Sequence, residues 1–168
     1  MIDEKLNMTQ EWDKVFPQSG KTDHRKVTFH NRYGITLAAD LYAPKDAAGK
    51  LPAIVVSGPF GAVKERSSGL YAQRMAEYGF LTLAFDPSFT GESGGQPRYG
   101  ASPDINIEDF CAAVDFLPVQ DNADPARIGI IGICGWDGMA ISRTGHPHQG
   151  HRSHDHVRYD PCQRQRLL

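Results

Sequence analysis

"RIGIIGICGWDGMA", residues 127–140, begins as an apolar run and ends in Gly132-Ile133-Cys134-Gly135, with glycine on either side of the Ile-Cys pair. A near-continuous apolar segment bounded by glycine reads as a strand buried on both faces. A strand that runs into Gly-x-Cys-x and on toward a helix has the logic of a nucleophile elbow. The tight turn lifts the side chain above the sheet, and the N-terminus of the next helix favours a thiolate. The glycine before the cysteine lets the backbone turn where a Cβ would clash. The same residues also fit a plainer reading, since a cysteine at a strand end is often a small buried hydrophobe.

Two similar runs lie upstream. "LPAIVVSGPFG", residues 51–61, and "FLTLAFD", residues 80–86, each read as a buried strand. Between them, residues 64–78 carry Leu70, Met75 and Ala76 at helical spacing, with Gly79 placed as a C-cap. "INIEDFCAAVDFL", residues 105–117, sets Ile107, Phe110, Cys111, Val114 and Leu117 on one helical face. Nearer the start, "KVTFHNRYGITLAADLYAP", residues 26–44, reads as two β-rich runs around Asn31-Arg32-Tyr33-Gly34, a hairpin. Strands alternating with helices at this spacing predict an α/β domain with right-handed crossovers. The expected architecture is a three-layer sandwich on a mostly parallel sheet, with an N-terminal β-hairpin and an irregular C-terminal tail.

Composition narrows the function. With 168 residues, 40% of them hydrophobic and 23% charged, the chain suits one soluble domain. A net charge of −2 gives no electrostatic case for nucleic acid or an anionic membrane surface. The first 16 residues are charged throughout and lack the apolar core of a signal peptide. No apolar run approaches the ~20 residues of a membrane span. Cys111, Cys134 and Cys162 form no disulfide framework, which places the chain in a reducing cytoplasm. No GxGxxG or Walker pattern follows any strand, so no cofactor is expected.

The averages conceal a break after Ala140. Residues 1–140 hold 13 Lys and Arg, 18 Asp and Glu, and two histidines; residues 141–168 hold five Arg, two Asp and five histidines. Gly145, Pro147 and Gly150 interrupt any helix there, and no hydrophobic period follows. The chain therefore divides into a leader (1–24), an α/β-domain (25–140) and a His- and Arg-rich tail (141–168) that is not expected to pack. His146, His148, His151, His154 and His156 offer a metal-binding alternative, in which the chain is a non-enzymatic α/β-module.

Four motifs in order, "GITLAADLYAP", "PAIVVSGPFGAVKE", "GFLTLAFDPSFTGESGG" and "DPARIGIIGICGWDGMA", resemble the N-terminal half of an α/β-hydrolase. The similarity is to the branch of dienelactone hydrolases and X-Pro-peptidase-like enzymes. The resemblance places Cys134 at the nucleophile position. It assigns an oxyanion hole to the Gly135 N–H together with that of Phe60 or Gly61, and makes Asp86, Gly91, Ser93 and Gly94 scaffolding. It implies hydrolysis of a small ester, lactone or related acyl substrate. Two departures stand out: Trp136 where the usual elbow has glycine, and Asp137 where a small residue is common. The family's acid and base follow later in the fold, and neither is recognisable here. A thiol without a base partner is mostly protonated at neutral pH. The expectation is therefore a truncated, inactive form whose last strand offers an edge for self-association. Codons compatible with residues 156–168, read one base later, encode a stretch resembling the family's continuation, which suggests a tail translated out of frame.

Overall fold

Side chains alternate across a strand, so a strand that is apolar throughout needs cover on both faces. The computed structural model, which describes residues 6–9 and 11–136, supplies that cover. Its elements are β1 (Thr22–His30), β2 (Thr36–Pro44), β3 (Leu51–Ser57), α1 (Ser67–Glu77), β4 (Leu81–Phe85), α2 (Pro103–Phe116) and β5 (Ala123–Gly132). The sheet order is β1-β2-β4-β3-β5. β1 and β2 form the expected hairpin, in register from Thr22 opposite Pro44 to His30 opposite Thr36. β2 joins β4 antiparallel, and β4, β3 and β5 run parallel.

The period of two sorts the core into two layers. Leu37, Ala39 and Leu41 of β2, Ala53 and Val55 of β3, and Leu81, Leu83 and Phe85 of β4 pack with Phe110, Val114 and Leu117. That is the α2 face, knit by an edge-on Phe85–Phe110 contact at 5.1 Å. Tyr42, Val56 and Ala84 point the other way, onto Ala72 and Ala76 of α1. The result is the three-layer α/β-sandwich of the sequence reading. Among the described residues, no helix is long and apolar enough to cross a membrane.

Three details differ from the sequence reading. Leu70 is exposed, and the buried face of α1 is Ser68, Gly69, Ala72, Gln73 and Ala76. Leu70 lies two positions from Ser68, about 200° round the helix, so both cannot face the sheet. β5 is only half covered: Ile128 is buried, but Ile130, Ile131 and Ile133 are intermediate, because β5 pairs with β3 alone among the described residues. On α2, Ile107 is also half exposed, while Cys111 is buried. Gly79 does end α1: at φ 97° it donates to the Ala76 carbonyl, and the Phe80 N–H reaches the Met75 carbonyl, a Schellman closure.

The leader packs against the domain. Trp12 meets Phe16 and His24 edge-on, at 5.7 and 5.2 Å. The Val15 N–H donates to the Glu65 carbonyl, and Gln73 bonds both Ser19 and Pro17.

Candidate active site

Parallel strands end together, so the loops after β3, β4 and β5 gather at one edge of the sheet. At the end of β5 the Ile133 N–H donates to the Ser57 carbonyl at 3.0 Å, holding the strand to β3 until the turn. The chain then enters a short 3₁₀ turn, Cys134–Trp136, with Cys134 at φ 61°. A non-glycine residue in that left-handed region is strained, and such strain clusters at functional sites. The Cys134 side chain is exposed and its thiol is free.

The loop after β3 runs beside this turn. A Cβ built on Gly135 would sit 3.8 Å from the Phe60 Cβ, so the elbow and residues 58–61 are in contact. Cys134, Gly135, Phe60 and Gly61 are thus brought to one place. A cleft of about 240 Å³ opens beside Phe60 and Gly61, which line it together with Ser88, Gly91, Tyr99 and Asn106.

Two buried carboxylates tie the lining of this cleft together. Asp109 of α2 accepts from Asn31 Nδ2 at 2.8 Å and Ser88 Oγ at 2.7 Å on one oxygen. Its other oxygen accepts from the Ser88 N–H at 2.8 Å and Asn106 Nδ2 at 3.2 Å. Burial raises its carboxyl above the usual aspartate range, with the Ser88 and Asn31 donors pulling back. Asp109→Asn would turn an amide nitrogen toward two donors and leave both unpaired in the core. A loss of about 2–3 kcal/mol is expected in urea unfolding, with Ser88 and Asn106 losing their fixed positions.

Asp86, at the end of β4, is fully buried. One oxygen accepts the Lys64 N–H at 2.7 Å; the other accepts Lys64 Nζ at 3.0 Å and the Glu92 N–H at 2.9 Å. Lys64 Nζ also meets Glu65, and Glu92 at 2.7 Å. Burial works against the Lys64 charge, but Asp86 and Glu65 outweigh it and hold its proton well above the usual lysine range. Burial pushes Asp86 up, with the Lys64 charge opposing. Ser93 is buried too, its hydroxyl donating to the Asp86 carbonyl and accepting from the Ala38 N–H. Asp86 and Ser93 are therefore scaffold in geometry, as the sequence suggests.

Asp13, Glu65 and Glu92 bring carboxylate oxygens within 4.8 Å of one another. Lysine ammonium groups already occupy that space: Lys26 lies 2.8 Å from Asp13 and 2.9 Å from Glu92, beside the Lys64 pairs. Burial alone would raise Asp13, yet hydrogen bonds from Lys14 and Lys26 hold its carboxyl down at about 2. The cluster is a neutralised ionic network, which gives a cation no reason to displace it. His146, His148, His151, His154 and His156 lie outside the described residues, as does Asp137.

Sequence reasoning missed Lys64, Glu92, Asn31, Asn106 and Asp109. For the last two a signal existed: Asn106, Asp109, Phe110, Ala113, Val114 and Leu117 follow the spacing of one buried helical stripe. Two polar residues on such a stripe mark a buried network. Lys64 and Glu92 carry no local pattern, because their partners are distant in sequence.

Comparison with known proteins agrees with this fold. Residues 33–150 match the model of the X-Pro dipeptidyl-peptidase (S15) family. The chain is 71% identical over 139 residues to the uncharacterized protein PA2218 of Pseudomonas aeruginosa, covering 82% of this chain and 38% of that protein. The crystal structure of PA2218 superposes with a TM-score of 0.83 at 69% identity, covering 84% of this chain and 44% of that one. Thiohydrolase aneE of Aspergillus aculeatus is 38% identical over 110 residues, 66% of this chain and 34% of its own length. A dienelactone hydrolase-like promiscuous phosphotriesterase from metagenomic libraries shares the fold, with a TM-score of 0.58 at 20% identity over 74% of this chain and 54% of that one. The chain spans less than half the length of the curated relatives it matches.

Proposed function

This chain belongs to the X-Pro dipeptidyl-peptidase (S15) family of the α/β-hydrolase superfamily, and from that premise we propose that its described residues form the nucleophile-bearing part of a hydrolase acting on a small ester, lactone or related acyl substrate. The observation that carries the reading is Cys134: a free, exposed thiol, in left-handed backbone, at the end of parallel strand β5 and beside the loop after β3.

In this reading the Cys134 thiolate attacks the acyl carbon. The S–C bond forms, the carbonyl oxygen takes the negative charge, and that oxyanion is held by the N–H of Gly135 and that of Phe60 or Gly61. Collapse breaks the C–O bond, the leaving oxygen departs with its electron pair and takes a proton from solvent, and a thioester remains. Returning the enzyme needs a base to activate water, and among the described residues the histidines are His24 and His30 on β1. Four strand spacings separate β1 from β5, about 19 Å, so neither can serve Cys134. The acid and base are assigned to residues outside the described ones, and the described residues by themselves offer a route to the thioester but none to its hydrolysis. Cys111 and Cys134 are in no disulfide among the described residues, which suits a reducing cytoplasm. The side of β5 that pairs with no strand among the described residues is the proposed surface for self-association.

The test is a burst. Mixed with p-nitrophenyl acetate at pH 8, the chain should release one equivalent of p-nitrophenolate and then slow sharply, and Cys134→Ala should release none. An unchanged burst from Cys134→Ala would contradict the assignment.

A further inference from the structure

We propose that Asp86 is the positioning residue for the oxyanion-binding loop, holding residues 60–64 at the height the Cys134 elbow requires. This rests on the Cys134 reading above and concerns a residue that touches neither substrate nor thiol.

The carboxylate grips the loop by its backbone as well as by charge. The bond from the Lys64 N–H to Asp86, at 2.7 Å, fixes a peptide plane three residues from Gly61 and four from Phe60. Two successive turns follow one another there, the Ala62 N–H donating to the Pro59 carbonyl around Phe60 and Gly61, and the Arg66 N–H to the Val63 carbonyl around Lys64. The two turns are joined at the Ala62–Val63 peptide, so a shift of Lys64 is passed directly to the turn that carries the N–H groups of Phe60 and Gly61. Phe60 sits against Gly135, with Gly61 next to it in the chain, and there an ångström decides whether an oxyanion is bound.

Asp86 is itself immobile. Its N–H donates to the Ala38 carbonyl at 3.0 Å, and its own carbonyl accepts the Ser93 hydroxyl at 2.6 Å, so its main chain is pinned to β2. Its side chain has one place to go. A Cβ on Gly91, at φ 55°, would fall inside van der Waals distance of the carboxylate, so glycine there leaves the space the carboxylate fills. The Glu92 N–H and Lys64 Nζ, on the second oxygen, set the carboxylate plane that aims the first oxygen at the Lys64 N–H. The substitution Asp86→Asn leaves a single acceptor oxygen for these three donors.

Two reactions of one thiol separate positioning from general disorder. Acylation by p-nitrophenyl acetate forms S–C, breaks C–O, expels p-nitrophenolate with its electron pair, releases the thiol proton to solvent, and passes through an oxyanion. Alkylation by iodoacetamide forms S–C, breaks C–I and expels iodide with no oxyanion, so it reports only exposure and thiolate fraction. Both rates are read on the full chain, with Cys134→Ala as the blank for Cys111 and Cys162. Asp86→Asn should slow acylation about 100-fold, the cost of losing one oxyanion donor, while alkylation changes by less than about threefold. An equal fall in both rates, or no fall in acylation, overturns the proposal. If Asp86→Asn does not yield folded protein, Gly91→Ala carries the same comparison with Asp86 intact and its carboxylate displaced. Acylation that survives in Cys134→Ala removes the Cys134 reading itself, a result distinct from equal rates in the Asp86 variant.

Discussion

Lys64→Met is expected to lower the stability of the fold by about 3–5 kcal/mol at neutral pH, the cost of removing one partner from a buried ion pair. Lys64 Nζ lies fully buried at 3.0 Å from Asp86 and 2.7 Å from Glu92, with Glu65 also in contact. Methionine fills much the same space and supplies no charge. The Asp86 carboxylate, already raised by burial, would then lose the charge that opposes the rise. The pH dependence follows from linkage. In the unfolded chain an aspartate titrates near 3.9. Between that value and its higher folded one, folded Asp86 keeps a proton that the unfolded chain releases, so stability falls as pH rises through the window. The deficit of the variant should therefore be widest at neutral pH and narrow on acidification toward pH 5. Urea midpoints for both proteins at pH 7.5 and pH 5 check this, and a deficit that does not shrink would contradict it.

Cys134→Ser should abolish the acylation burst, by more than about a thousandfold. Cysteine is already a few per cent thiolate at neutral pH and is intrinsically nucleophilic, whereas a serine hydroxyl reacts only with a base in hydrogen-bond reach. The described histidines, His24 and His30, lie at the far side of the sheet on β1. Stopped-flow release of p-nitrophenolate is the measurement. A serine variant that still acylates within tenfold of the parent would mean that a base stands near residue 134 in the folded chain.

How far these features are legible in the sequence depends on the range of the interactions. β3 and β4 are plain because strands covered on both faces are apolar in nearly every position, and both helical layers then collect alternate side chains. The hairpin is plain because Asn31 both turns the chain and is bonded within it, its Oδ1 accepting from Tyr33 and Ile35. The face of α1 misleads at Leu70, since its true contacts are made by Ala72, Ala76, Ser68 and Gly69, small residues that let the helix approach the sheet and carry little hydrophobic signal. The Gly-x-Cys turn announces the elbow. What nothing local announces is the rigging behind it. The pairs Lys64–Asp86 and Asn31–Asp109 span 22 and 78 residues, and they are visible only once the fold brings them together.

The most direct measurement is peptide mapping by mass spectrometry after a single exposure to p-nitrophenyl acetate. One acetyl group per chain is expected, carried by the peptide that contains Cys134. Acetylation spread over lysines, or confined to a peptide without Cys134, would contradict it.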